Sequence, residues 1–147
     1  MSARQEPTSY EQRASVARLI NRAQSDLVGA LDLALRPSDV SAAQYVILST
    51  LWYERARTAA QICKEISYSP GAMTRMLDRL EQKQLVRRVR LEYDRRAVEL
   101  ELSPAGKEVF PKLLAVSEKV IERYFGKFNK QELEQFEALL NRMLTTP

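Results

Sequence analysis

The chain has 147 residues, 45% of them hydrophobic, which predicts one globular domain and excludes an intrinsically disordered protein. No apolar run approaches the ~20 residues of a membrane span, and the N-terminus lacks the apolar core of a signal peptide, so we expect a cytoplasmic protein without a membrane segment. There is no histidine and one cysteine, which removes the commonest general base, the usual nucleophile pairs and most metal-ligand sets. We therefore expect no enzyme, no metal and no cofactor.

The net charge of +4 is concentrated in the middle third of the chain. Residues 1–53 and residues 101–147 are each neutral, whereas residues 54–100 contain eleven basic and seven acidic side chains. Such asymmetry is typical of a surface that binds a polyanion such as nucleic acid. The alternative is a solvated surface with an accidental surplus of positive charge.

The N-terminal half predicts three helices. Ser9 begins a capping box, and the apolar residues that follow at spacings of three and four predict a long amphipathic helix over about 10–35. An Arg-Pro pair ends this helix, because the residue before proline avoids helical angles. Capping boxes at Ser41 and Thr58 predict a second helix to about Tyr53 and a short third helix.

The next helix-start signal in the sequence predicts a helix-turn-helix. Ser69 and Pro70 are a cap residue and a first-turn proline, and they predict a fourth helix to about Gln82. Only residues 67–69 separate it from the third helix, and two short helices joined by a tight turn form this motif.

The residues after the fourth helix change to the two-residue period of β-strands. Strands are predicted over 85–90 and 97–102, with a charged loop over 91–96 between them, so this segment is predicted to be a β-hairpin. A serine–proline pair at residues 103–104 then predicts a helix that contains Pro111, and a last capping box predicts a helix after residue 129.

The fold class that these elements predict is mostly α with a small β-hairpin. Residues 41–102 form a winged helix-turn-helix, and helices over 9–36 and 104–145 flank it within a single domain of residues 1–147. The apolar faces of these flanking helices need a partner surface, which a twofold dimer supplies. The alternative is that they pack only within one chain.

The polar face of the fourth helix is suited to double-stranded DNA. Seven residues are predicted on it: Ser69, Gly71, Thr74, Arg75, Asp78, Arg79 and Gln82. Small residues at its start allow the backbone to approach base edges, and Arg75 can donate two hydrogen bonds to one guanine. Arg79, Lys83 and Arg87 are predicted to reach the DNA backbone, where they would add affinity without sequence information.

The hairpin is predicted to act as a wing through Asp94, Arg95 and Arg96. An arginine at a loop tip can enter a minor groove, where the negative potential is strong. The aspartate beside it would orient that arginine by a charge-assisted hydrogen bond. The alternative is a surface Asp–Arg pair that contributes little.

Three segments resemble the MarR family of bacterial transcription regulators. They are residues 69–86 (SPGAMTRMLDRLEQKQLV), residues 94–96 (DRR) and residues 102–106 (LSPAG), in the order and at the spacing typical of that family. The resemblance extends over essentially the whole chain. It implies a homodimer with interdigitated terminal helices that binds a pseudo-palindromic operator and acts as a repressor.

By position, the resemblance implies roles for individual residues. Thr74 and Arg75 would read the major groove, and Arg96 would enter the minor groove with Asp94 holding it. The sequence departs from the family at Gln84, where the family has a glycine that suits the left-handed turn after a helix. Gln84 must either bear strain or close the turn differently.

Three questions stay open at this point. Tyr45 and Trp52 line a pocket for a small aromatic or phenolic effector, as in many relatives, or are plain core. Cys63 senses oxidants, as in some relatives, or is a small apolar residue of a short helix. The winged module binds DNA, or it mainly joins protein partners.

Overall fold

Six α-helices and one β-hairpin make up most of the computed structural model, which describes residues 7–66 and 69–145 and, for residues 95–97, the backbone alone. The elements in chain order are α1 (Tyr10–Leu35), α2 (Ala42–Trp52), α3 (Ala59–Ile66), α4 (Pro70–Gln82), β1 (Val86–Leu91), β2 (Asp94–Leu102), α5 (Pro104–Phe125) and α6 (Lys130–Leu144). A 3₁₀ turn over Arg36–Ser38 links α1 to α2. Among these described residues, no helix is long and apolar enough to cross a membrane.

The helices begin where the capping residues predict, because a side chain binds the free amides of each first turn. Ser41 Oγ accepts a hydrogen bond from the Gln44 amide at 3.1 Å, and Gln44 Oε1 accepts one from the Ser41 amide at 3.3 Å. Reciprocal pairs of this kind also begin α3 and α6. In α1, α4 and α5 a serine oxygen accepts a hydrogen bond from the amide three residues on: Ser9, Ser69 and Ser103.

The hairpin has a longer second strand and a shorter loop than the sequence predicts. β1 and β2 pair antiparallel from Val86 opposite Leu102, and only residues 92–93 form the turn between them. The charged loop predicted over 91–96 is therefore wrong, and Asp94 begins a strand. Alternation of apolar residues stops before this point, whereas antiparallel pairing needs only backbone groups and continues further.

The turn after α4 places Gln84 in the left-handed conformation, with a φ of 59°. The Gln84 amide donates to the Glu81 carbonyl at 2.8 Å, and the Leu85 amide donates to the Leu80 carbonyl at 3.0 Å. These bonds satisfy carbonyls at the end of the helix, as a glycine at this position would also allow. Of the two predicted solutions, the chain therefore adopts the one in which Gln84 bears the strain.

The core joins the winged module, which includes α2, to α1 and α5. Its fully buried side chains include Leu35 of α1, Ile47 of α2, Leu77 of α4 and Phe110 of α5. Cys63 is half-buried and packs against this cluster, as its apolar interpretation predicts. The α5 helix continues through Pro111.

The two ends of the chain form helices whose apolar faces remain open. No residue of α6 is buried, and α1 buries only Leu31 and Leu35. Nine large apolar side chains of these helices are exposed to solvent: Tyr10, Val16, Leu19, Val28, Leu33, Phe136, Leu139, Met143 and Leu144. Packing within one chain therefore leaves most of this apolar surface uncovered.

Candidate nucleic-acid interface

The α4 helix exposes the polar face that its sequence predicts. All seven residues of that face are exposed, while Met73, Leu77 and Leu80 on the opposite side are buried. The helix is therefore fixed to the core along one side and presents the other to solvent. Ser69 Oγ caps it, and the Thr74 hydroxyl donates to the Pro70 carbonyl at 2.9 Å, which orients the side chain within the first turns.

Gly71 leaves the start of α4 as bare backbone. A Cβ at this position would meet no atom within 4 Å, and its φ is not in the left-handed region. Neither the packing nor the backbone angle of the chain requires a glycine here. Without a side chain at this position, the amides at the N-terminus of the helix are open to a ligand, and such amides bind anions such as phosphate.

Some basic side chains of the middle third form hydrogen bonds or ion pairs within the chain, and others have none among the described residues. Arg88 donates to Asp78 Oδ1 at 3.0 Å and lies 3.5 Å from Glu81 Oε1. Arg75 and Arg79 are exposed and have no hydrogen bond or ion pair with the rest of the chain that the structure describes. These two guanidinium groups therefore reach solvent from the polar face of α4 with their donors unused.

Two of the three residues predicted to contact the DNA backbone, Lys83 and Arg87, have partners within the chain. The Arg87 guanidinium pairs with Glu101 across the hairpin, at the surface. Exposed pairs of this kind contribute ~0–1 kcal/mol and exchange readily, so Arg87 keeps access to a phosphate. Lys83 is different, because it is largely covered and bonded to Asp39, between α1 and α2, and to Gln44 of α2.

The wing is described only in part. Asp94 is exposed at the start of β2, and the side chains of Arg95 and Arg96 lie outside the described residues, so the expected Asp94–Arg96 bond stays a prediction. Tyr93, which is not among the predicted site residues, is 85% exposed at the turn of the hairpin.

The two aromatic residues predicted to line an effector pocket both pack against Phe110 of α5. Tyr45 and Trp52 stack on Phe110, with ring centroids 5.8 Å and 4.8 Å apart. Tyr45 is buried in this stack and belongs to the core, so its predicted place in a pocket wall is not what the structure shows. Trp52 keeps one face open and lines a cleft of about 300 Å³ with Ala56 and Leu100.

Comparison with known proteins identifies the group to which this winged module belongs. The sequence model of the MarR family matches residues 40–98, which contain α2, the helix-turn-helix and most of the hairpin. MdtR of Bacillus subtilis, a transcriptional repressor, is 30% identical over 102 residues, or 69% of this chain. The chain belongs to the MarR family. The aligned part spans 66% of the length of MdtR, just under two thirds.

Further MarR-family proteins agree with this assignment. The transcriptional regulator MgrA of Staphylococcus aureus is 27% identical over 101 residues, which cover 69% of this chain and 67% of MgrA. A mutant of E. coli MarR, solved in complex with operator DNA, superposes with a TM-score of 0.80 at 26% identity, over 94% of this chain and 99% of that one. The mostly α winged-helix fold is confirmed, and the relatives are transcription regulators rather than enzymes.

Proposed function

We propose that this MarR-family regulator binds a pseudo-palindromic DNA operator as a homodimer and represses transcription from it. The observation that carries the proposal is the polar face of α4. It presents a bare backbone start at Gly71 and the guanidinium groups of Arg75 and Arg79, which have no partner among the described residues, on a helix fixed to the core. A helix of this kind fits the major groove of B-DNA, which admits one α-helix.

The proposed contacts follow the order of residues along α4. Thr74 and Arg75 lie in the first turns and read base edges, with Arg75 donating twice to a guanine. Arg79 lies one turn further on and contacts a phosphate, which adds affinity without sequence information. Ser69 and Gly71 bring the helix start against the DNA backbone. The wing residues Asp94, Arg95 and Arg96 approach the adjacent minor groove.

The homodimer in the proposal is supported by the open apolar faces of α1 and α6. A cleft of about 360 Å³ between α1, α5 and α6 is lined by apolar side chains that include Ile20, Leu27, Phe136 and Leu140. Contiguous exposed apolar surface of this composition is typical of protein–protein contacts. The neutral charge balance of both chain ends lets two copies pack without repulsion. Twofold symmetry then gives two α4 helices for the two operator halves.

An effector that releases the DNA is the third part of the proposal. The cleft beside Trp52 lies between the end of α2, β2 and the start of α5, so a bound molecule there touches both the wing and the flanking helices. Its one aromatic side chain, Trp52, can stack on a small aromatic or phenolic compound, and Arg57 and Lys107 at the same cleft can pair with an acidic group of that compound. Trp52 is the single tryptophan of the chain, so its fluorescence reports binding directly. If a series of hydroxybenzoates changes neither the Trp52 fluorescence nor the DNA affinity, the proposed effector site is wrong.

In vitro selection of double-stranded DNA with the wild-type chain supplies a ligand for the test. We call the recovered sequence the selected palindrome, and a scrambled duplex of equal composition is its control. Arg75→Ala should narrow the affinity difference between them by about 5- to 150-fold, which corresponds to ~1–3 kcal/mol for a bidentate base contact. Arg79→Ala should weaken both duplexes alike. If Arg75→Ala and Arg96→Ala leave binding untouched, the module joins proteins rather than reading DNA.

A further inference from the structure

Lys83 is the capping residue at the end of α4, and its side chain crosses to the segment between α1 and α2. Its Nζ donates to the backbone carbonyl of Asp39 and to Gln44 Oε1, the latter at 2.9 Å. The same nitrogen lies 3.7 Å from the Asp39 carboxylate, and 28% of the Lys83 side chain is exposed. Three acceptor atoms thus surround an ammonium group that has three donors.

The acceptors are themselves held in place. Gln44 is buried, and its Oε1 also accepts from the Ser41 amide in the capping box of α2. Asp39 adopts a left-handed φ of 55°, and its amide donates to the Arg36 carbonyl at 2.9 Å. On the other side, Asp32 of α1 accepts a hydrogen bond from the Ala42 amide at the start of α2, at 2.6 Å. We call the four residues Asp32, Asp39, Gln44 and Lys83 the Lys83 cluster.

This cluster connects the recognition helix to the helix proposed to form the dimer. Asp32 belongs to α1, Gln44 to α2, and Lys83 ends α4, so one set of polar contacts fixes the relative position of three helices. A lysine that serves a phosphate should extend freely into solvent, as Arg79 does. Lys83 would have to give up the contacts with Asp39 and Gln44 to do so.

We propose that Lys83 is a positioning residue that holds the end of α4 against the α1–α2 junction, and not a phosphate contact. This inference rests on the proposed function, in which α4 enters the major groove. In a twofold dimer, the position of α4 relative to α1 fixes the separation of the two recognition helices. That separation decides which spacing between operator halves is bound, since half-sites lie one helical turn apart.

The test compares Lys83→Met with Arg79→Met. Methionine keeps an apolar stem of similar length and removes the donors. DNA affinity is measured over a series of salt concentrations, on the selected palindrome and on versions with one central base pair added or removed. Lys83→Met should lower the affinity for the selected palindrome by roughly two- to thirtyfold, the range seen for residues that couple distant sites. It should also reduce the penalty for altered spacing and leave the salt slope unchanged.

Arg79→Met should show the opposite pattern. It should reduce the slope of log affinity against log salt by about 0.9 for each phosphate that the side chain neutralises, with the spacing penalty intact. Lys83→Arg keeps donors for Asp39 and Gln44 and should restore wild-type spacing preference. If Lys83→Met lowers the salt slope and keeps the spacing penalty, Lys83 is a phosphate contact and the inference is wrong.

A measurement without DNA separates the two proposals. The Asp39 and Val40 amides bond to the carbonyls at the end of α1, and the Leu85 amide bonds to the Leu80 carbonyl. Lys83→Met should speed hydrogen exchange at all three amides without changing the melting temperature of the protein. Arg79→Met should leave exchange at these amides at the wild-type rate. Unchanged exchange in Lys83→Met would overturn the positioning role. A wild-type chain that binds no DNA would overturn the proposed function and leave the exchange result standing.

Discussion

Replacing Gly71 with alanine should separate DNA binding from folding. Gly71 is the second residue of α4, and an added Cβ would meet nothing within 4 Å in the free protein. Alanine restricts the unfolded chain and favours a helix, so the free energy of unfolding should rise by up to ~1 kcal/mol. For a chain of this length, that gain raises the melting temperature by about 2–4 °C.

The same methyl group should weaken DNA binding, because it occupies the bare start of α4 where we place the DNA backbone. Overpacking of a close contact costs ~1–3 kcal/mol, so affinity for the selected palindrome should fall by about 5- to 150-fold. Thermal unfolding by circular dichroism and DNA binding by fluorescence anisotropy measure the two effects. Gly29→Ala is the matched control, since Gly29 is an exposed helical glycine with open space around it, away from α4.

Two results would refute the reasoning about Gly71. If Gly71→Ala binds the selected palindrome as tightly as wild type, the DNA does not approach this backbone. If it melts at a lower temperature than wild type, the glycine is required by the fold, in contradiction to the open space around it.

Three further substitutions test the fold and the dimer. Gln84→Gly should raise the free energy of unfolding in urea by ~1 kcal/mol, because glycine removes the cost of a left-handed φ; an unchanged midpoint would contradict the strain. Gly106→Ala should destabilise by ~1–3 kcal/mol, since its Cβ would lie 2.2 Å from the Leu85 carbonyl oxygen, and an unchanged melting temperature would refute this contact. Leu139→Lys should leave the helical signal intact but shift sedimentation to a monomer, whereas Asn141→Lys, on the opposite side of the same helix, should not; a dimer in both would exclude the α6 interface.

The helix starts and the polar face of α4 were predictable because both depend on neighbours in sequence. A capping box places its two side chains three residues apart, and a helical face recurs every three to four residues. The pattern therefore predicted which residues of α4 are exposed, from Ser69 to Gln82, before any contact was known. The left-handed turn at Gln84 was one of two predicted ways to end α4, and the sequence alone did not decide between them.

The partners of Lys83 and Tyr45 were not predictable, because they are distant in sequence. Lys83 lies 44 and 39 residues from its acceptors Asp39 and Gln44, and no local period connects them. Tyr45 reaches Phe110 only after α2 packs on α5. The hairpin boundary failed for a related reason, since backbone pairing continued through charged residues that lack a strand pattern.

The most direct test of the central claim is the salt dependence of DNA binding by the wild-type chain. We expect tight binding to the selected palindrome, weaker binding to the scrambled duplex, and a steep fall of log affinity with log salt, because phosphate contacts release counterions. Each phosphate contact contributes about 0.9 to that slope. Binding that is independent of salt, equal on both duplexes, or absent at low salt would contradict the claim that α4 reads an operator.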